Sequence, residues 1–246
     1  MNNGDVTDYT QIFGEHRTTV SVAGVFRAVY GWMFLGLLVS GLVAWFAAQS
    51  GLFLPKPGMR GPGMLFYGCF FAEIALVWIL SATVRKLPIF VAILMFLGYA
   101  VLNGLTLSVV FLAYGLPEIG RTFLITAGMF GGLALYGTVT RSDLSKVGAF
   151  CGMALWGLIL VCVVNIFLPL PKGVDWLVSI AGIVIFTGLT MWDAQKIKLM
   201  ASDPEITSQP GVAARLSIIG ALELYLDFIN LFLMLLRFFN GGRGRD

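Results

Sequence analysis

The chain has 246 residues, of which 58% are hydrophobic and 12% charged, with a net charge of +3. An ordinary soluble domain is about 25% charged. Half that share cannot cover a compact body in water, so a soluble enzyme is excluded, and a charge this small and this dispersed excludes a nucleic-acid-binding surface.

The N-terminal residues 1–27 read as a polar tail. Residues 1 to 25 carry Asp5, Asp8, Glu15 and Arg17 ahead of any long apolar run. With no secretory leader evident, the tail is expected to stay in the cytoplasm. His16, the only histidine, falls in this tail, which argues against a histidine metal site or general base and leaves no cofactor to expect. Cys69, Cys151 and Cys162 all fall within apolar runs, where an odd count reads as packing and not as a disulfide framework.

Seven apolar blocks follow in chain order: Ala28–Gln49, Met64–Val84, Pro88–Ala113, Thr122–Val139, Val147–Leu168, Val174–Trp192 and Leu216–Phe239. Each approaches the ~20 residues a helix needs to cross ~30 Å of hydrocarbon. Breakers separate them at Pro55–Gly58, Arg85–Lys86, Gly115–Glu118, Thr140–Asp143 and Pro169–Gly173, and the connection Asp193–Arg215 is the one rich in charge. In lipid a backbone must satisfy its own hydrogen bonds, and blocks without period-two alternation exclude a barrel. The predicted fold is all-α: a membrane bundle of seven transmembrane helices over residues 28–239, the last one central, with a short tail at 240–246. Gly128/Gly132 and Gly148/Gly152 have the spacing of close helix contacts. Lysines and arginines are more numerous on the side shared with the N-terminus, which places that terminus inside and leaves the side of the C-terminus open.

Ionisable residues within spans are expensive and therefore informative. Glu73 falls mid-block in the second span. In the last, Glu223, Asp227, Asn230, Met234 and Arg237 fall within about 80° of helical arc at 100° per residue. A lipid-facing helix would not keep such a stripe. The charges could simply pair to fix packing, for instance Glu73 with Arg237, and Arg237 lies near enough to a helix end to snorkel. Asp227, a membrane carboxylate with acidic neighbours, is the residue suited to a proton-controlled switch or a cation ligand. Asp193 taken alone is a helix-end charge beside lysines.

The run Gly220-Ala221-Leu222-Glu223-Leu224-Tyr225-Leu226-Asp227-Phe228-Ile229-Asn230-Leu231-Phe232 closely resembles the last helix of the Bax inhibitor motif family. Trp192-Asp193-Ala194-Gln195-Lys196-Ile197 and Asn103-Gly104-Leu105-Thr106-Leu107-Ser108 resemble its sixth and third helices. The resemblance extends over nearly the whole chain and points to the bacterial branch and an inner-membrane location. It implies a pH-sensitive calcium leak whose pathway is gated by Asp193 and Asp227, which could also hold Ca²⁺ transiently as a permeant ion. It further implies a latch at Arg85, with Lys86 as the alternative, and supporting buried charges at Glu73, Glu223, Asn230 and Arg237. Two departures stand out. Trp192 and Ala194 flank the aspartate where the family usually has Tyr and Thr, and Glu223 replaces a small polar residue.

Besides the lipid bilayer and calcium, a membrane-protease partner is a second reading, with the protein a regulator engaged through its N-terminal tail. An intramembrane aspartyl protease is a weaker third, since neither aspartate has the expected sequence context. One geometric demand also follows from the block ends. Asp227 would lie about 16 Å deeper than Asp193, so the sixth helix must run on toward Met200, or the seventh must begin above the headgroups.

Overall fold

The computed structural model describes residues 21–54, 63–83, 87–167 and 174–240. Most of the N-terminal tail, the breakers Pro55–Gly58 and Pro169–Gly173, the latch candidates Arg85 and Lys86, and residues 241–246 lie outside the described residues.

Seven helices are long and apolar enough to cross a membrane: α1 Val22–Gln49, α2 Met64–Thr83, α3 Ile89–Ala113, α4 Leu116–Val139, α5 Ser145–Phe167, α6 Val174–Ala201 and α7 Pro210–Asn240. A single turn, Pro204–Thr207, bridges α6 and α7, and no strand occurs among the described residues. The protein is a polytopic helical membrane bundle. Its outward surface carries large apolar side chains, among them Met64, Leu124, Phe34 and Phe150, which only hydrocarbon can solvate at this density.

α5 begins two residues ahead of its apolar block, and three helices begin six residues ahead of theirs, for local chemical reasons. α1 starts at Val22 because Ser21 caps it, its hydroxyl accepting from the Gly24 amide at 3.1 Å. α4 starts at Leu116, so the Gly115–Glu118 breaker is its first turn: Pro117 needs no amide partner there, and Glu118 accepts from the Gly115 amide at 2.7 Å. α7 starts at Pro210 for the same proline reason, and α6 runs on to Ala201. The sixth helix thus runs on past Met200, and the seventh begins six residues before its apolar block.

α7 is the axis. It packs against α1, α3, α4 and α6, while α2 leans on α3 and α5 on α6 at the periphery. Buried residues occur all round α7, including Leu224, Tyr225, Phe228 and Leu231, whereas α2 buries only Leu80. Close approaches rest on glycines. A Cβ on Gly137 would strike the Met191 carbonyl, one on Gly104 the Ser40 carbonyl, and one on Gly148 the Trp192 ring. Of the four glycines picked out by spacing, Gly148 alone makes such a contact; Gly128, Gly132 and Gly152 face open space.

Candidate functional site

Because α6 runs on without a break to Ala201, Asp193 stands beside Asp227 of α7. The two are 7% and 5% exposed, and their carboxyls meet side chain to side chain. Asp227 Oδ2 finds no N–H or O–H donor among the described residues. Two ionised carboxyls brought this close repel one another unless positive charge lies beside them.

Lys196 completes the cluster. One turn beyond Asp193, its Nζ lies 2.8 Å from Asp193 Oδ1 and 2.8 Å from Glu223 Oε1. Its ammonium also sits 4.6 Å above the Trp192 ring, a cation–π contact, and Trp192 in turn rests on Gly148. The Trp192 departure thus has a packing partner, and Glu223 has a counter-ion. Reading the sequence for acids overlooked this lysine; its i,i+3 spacing from Asp193 is the signal that would have found it.

The polar stripe on α7 faces α6. Glu223 meets Lys196, Asp227 meets Asp193, and Met234 fills the space a side chain on Gly182 would take. At its far end the stripe leaves the interior. Asn230 is half-buried and donates to the Leu226 carbonyl in its own helix at 2.8 Å. Arg237, expected as a buried charge, is exposed; its position in the last turn of α7 lets its long side chain reach the headgroups.

Glu73 does not pair with Arg237. It accepts from the Tyr99 hydroxyl at 3.0 Å, from the Thr106 hydroxyl at 2.9 Å and from the Asn103 amide, so α3 solvates it with neutral donors. Asn103 continues inward, its Oδ1 accepting from the Tyr225 hydroxyl of α7 at 2.7 Å, and Tyr225 lies 2.6 Å from the Ser40 hydroxyl of α1. Tyr225 and Asp227 are two residues apart, roughly 160° around the helix, so α7 carries separate polar systems on opposite faces. A third polar contact steadies the site from outside: buried Gln195 accepts from the Leu144 amide at 2.9 Å and donates to the Ser142 carbonyl at 2.8 Å, clamping the α4–α5 loop onto α6.

Residues 22–244 match the family described as Inhibitor of apoptosis-promoting Bax1. The chain belongs to this Bax inhibitor family. Within its membership, the chain is similar to the inner membrane protein YbhL of Escherichia coli strain K12, with 44% identity over 215 residues, 87% of this chain and 90% of that one. An uncharacterized protein of Borreliella burgdorferi is 39% identical over 89% of this chain and 91% of its own. One of Deinococcus radiodurans is 37% identical over 98% and 100%.

Proposed function

We propose that this Bax inhibitor family member is a low-flux cation leak of the bacterial inner membrane, without enzymatic activity or a resident cofactor. Ca²⁺ is the permeant ion, and a proton shared by Asp193 and Asp227 gates its passage. The observation that carries the reading is the meeting of two buried carboxyls from different helices, one of them with no donor of its own among the described residues.

The chemistry follows from that contact. While one proton is shared, the carboxyls attract, and α6 stays seated on α7. Once the proton leaves, two carboxylates face each other where water screens poorly, and their repulsion acts along the α6–α7 seam. Parting that seam presents carboxylate oxygens, which suit a hard cation such as Ca²⁺. A cavity of about 150 Å³ between α2 and α7, with Ser81 and Glu223 in its lining, supports an approach to the cluster from that side. The excess of Lys and Arg on the side of the α4–α5 and α6–α7 connections supports a cytoplasmic N-terminus. The inner-membrane location follows the name of the Escherichia coli relative.

The test is Ca²⁺ entry into liposomes holding an indicator dye, followed across pH. The wild-type leak should rise as pH rises, while Asp227→Asn and Asp227→Ala should flatten that response. Equal leaks with equal pH dependence in wild type and variants would reject the mechanism.

A further inference from the structure

α1 and α4 both pack on α7 but scarcely on each other, and the gap between them is a groove of about 630 Å³. Exposed Phe34 of α1 and Leu135 of α4 stand at its rim, so it opens on the lipid-facing surface. Its floor is buried: Met33, Phe130, Ala134 and, from α7, Phe228. The Phe130 and Phe228 rings meet edge to face at 5.4 Å, which closes the floor onto the central helix.

The groove is one leaflet deep. Its lining runs from Phe26 to Leu37 on α1 and from Ala127 to Thr138 on α4. Each stretch covers about 16 Å of helix, roughly half of the ~30 Å hydrocarbon core. Successive spans alternate in direction, so Phe26 and Thr138 share one end, at the membrane face where α1 begins and α4 ends. The lining is apolar except for the hydroxyls of Tyr30 and Thr138, and both belong to the half nearer that face.

The same end is basic. Arg27 is exposed and lies about 20° around α1 from the rim residue Phe34. Arg141 is exposed two residues past the end of α4. The acid of that connection, Asp143, is engaged with the Ser145 amide, so two cations stand against a single acid that already has a partner.

Depth and charge together decide the occupant. A helix from a second copy would cross the whole hydrocarbon and need a groove about 30 Å long, whereas one acyl chain fills one leaflet. Basic residues at a membrane face attract anionic headgroups, and a guanidinium grips a phosphate through paired hydrogen bonds. We propose that the groove between α1 and α4 binds one anionic phospholipid of the leaflet at the N-terminal end of α1. An acyl chain lies on Phe130 and Phe228, and Arg27 and Arg141 hold the phosphate. The lipid ties together two spans that otherwise scarcely meet, and its chain rests on the residue next to Asp227. The site does not depend on the leak.

The test is native mass spectrometry of the full chain in mild detergent, offered equal amounts of phosphatidylglycerol and phosphatidylcholine. Wild type should retain one phosphatidylglycerol several-fold more often than one phosphatidylcholine. Gly131 and Gly132 supply a matched pair, because a Cβ on either meets nothing within 4 Å, yet of the two only Gly131 lines the groove. G131L should lower phosphatidylglycerol retention several-fold, and G132L should leave it unchanged. R27Q/R141Q should bring phosphatidylglycerol down to the level of phosphatidylcholine. Equal retention of the two lipids by wild type overturns the proposal, as does wild-type retention in G131L or an equal loss in G132L. A wild-type dimer that G131L splits, with no lipid lost, assigns the groove to a second copy and overturns it as well. Should G131L not fold, R27Q/R141Q decides, since both arginines are exposed: an unchanged preference for phosphatidylglycerol overturns the proposal.

Discussion

The Tyr225 hydroxyl donates to Asn103 Oδ1 at 2.7 Å, and this contact ties the central helix to the polar spine of α3. The Asn103 amide in turn donates to Glu73, so one chain of hydrogen bonds runs from a peripheral span to the axis of the bundle. Its other end is Ser40, whose hydroxyl is also within 2.8 Å of the Gly36 and Ala100 carbonyls. One hydroxyl proton cannot serve both carbonyls and the Tyr225 oxygen at once, so the α1 end of the chain has acceptors in excess of protons. A carboxyl in the second span is in this way accommodated, among the described residues, by neutral donors that three neighbouring turns of α3 place on one face.

Tyr225→Phe removes the shared hydroxyl and strands Asn103 Oδ1 in a buried position. The ring keeps its edge contacts with Phe96 and Tyr99, so packing survives and the loss is polar, about 1–2 kcal/mol. Reversible unfolding in mixed micelles should show that loss. Because Tyr225 faces away from Asp227, the pH dependence of any leak should not change, and a shifted pH profile would contradict the separation of the two faces.

Gly148→Ala places a methyl group inside the Trp192 ring. The ring must shift, and with it the surface beneath Lys196, at a cost of about 1–3 kcal/mol for overpacking. Gly152→Ala, four residues on in the same helix, meets nothing and should be neutral or stabilising by up to about 1 kcal/mol, since alanine favours helix over glycine. Thermal unfolding of the two variants side by side is the measurement. Equal behaviour would mean that the indole does not rest on α5.

Gln195→Leu leaves the Leu144 amide without its acceptor and the Ser142 carbonyl without its donor. A cost of about 1–3 kcal/mol is expected from the stranded, partly buried backbone groups. The local readout is sharper. Hydrogen exchange at Leu144 should accelerate and the α4–α5 loop should become open to proteolysis, while exchange in α1 and α3 stays as it was.

Asp143 is exposed and lies in the α4–α5 loop, where its carboxylate accepts from the Ser145 amide at 2.9 Å. Hydrogen bonds from Ser145 hold the carboxyl below its ordinary value. A depressed value in the folded state means that this cap contributes above the ordinary carboxylate range and is lost as pH falls through the lower folded value. Protection of the Ser145 amide should therefore persist down through the usual carboxylate range and fade below it. In Asp143→Ala it should be weak at every pH.

The two kinds of information divide along a physical line. The need to dissolve each stretch of backbone in hydrocarbon acts locally, so composition and block length were enough to settle a seven-helix membrane bundle, and a polar stripe was enough to place the last helix at its centre. The same locality made Asp193 and Asp227 legible through their motifs. What the amino-acid order alone left open was which charges meet. That depends on how far each helix extends and how it is rotated against its neighbours. Only the packed bundle seats Lys196 between Asp193 and Glu223, hands Glu73 to the donors of α3 instead of Arg237, turns Arg237 outward, and selects Gly148 from four glycines with equally suitable spacing. Helical periodicity assigns a residue to a face; the neighbour across that face is a property of the assembled helices.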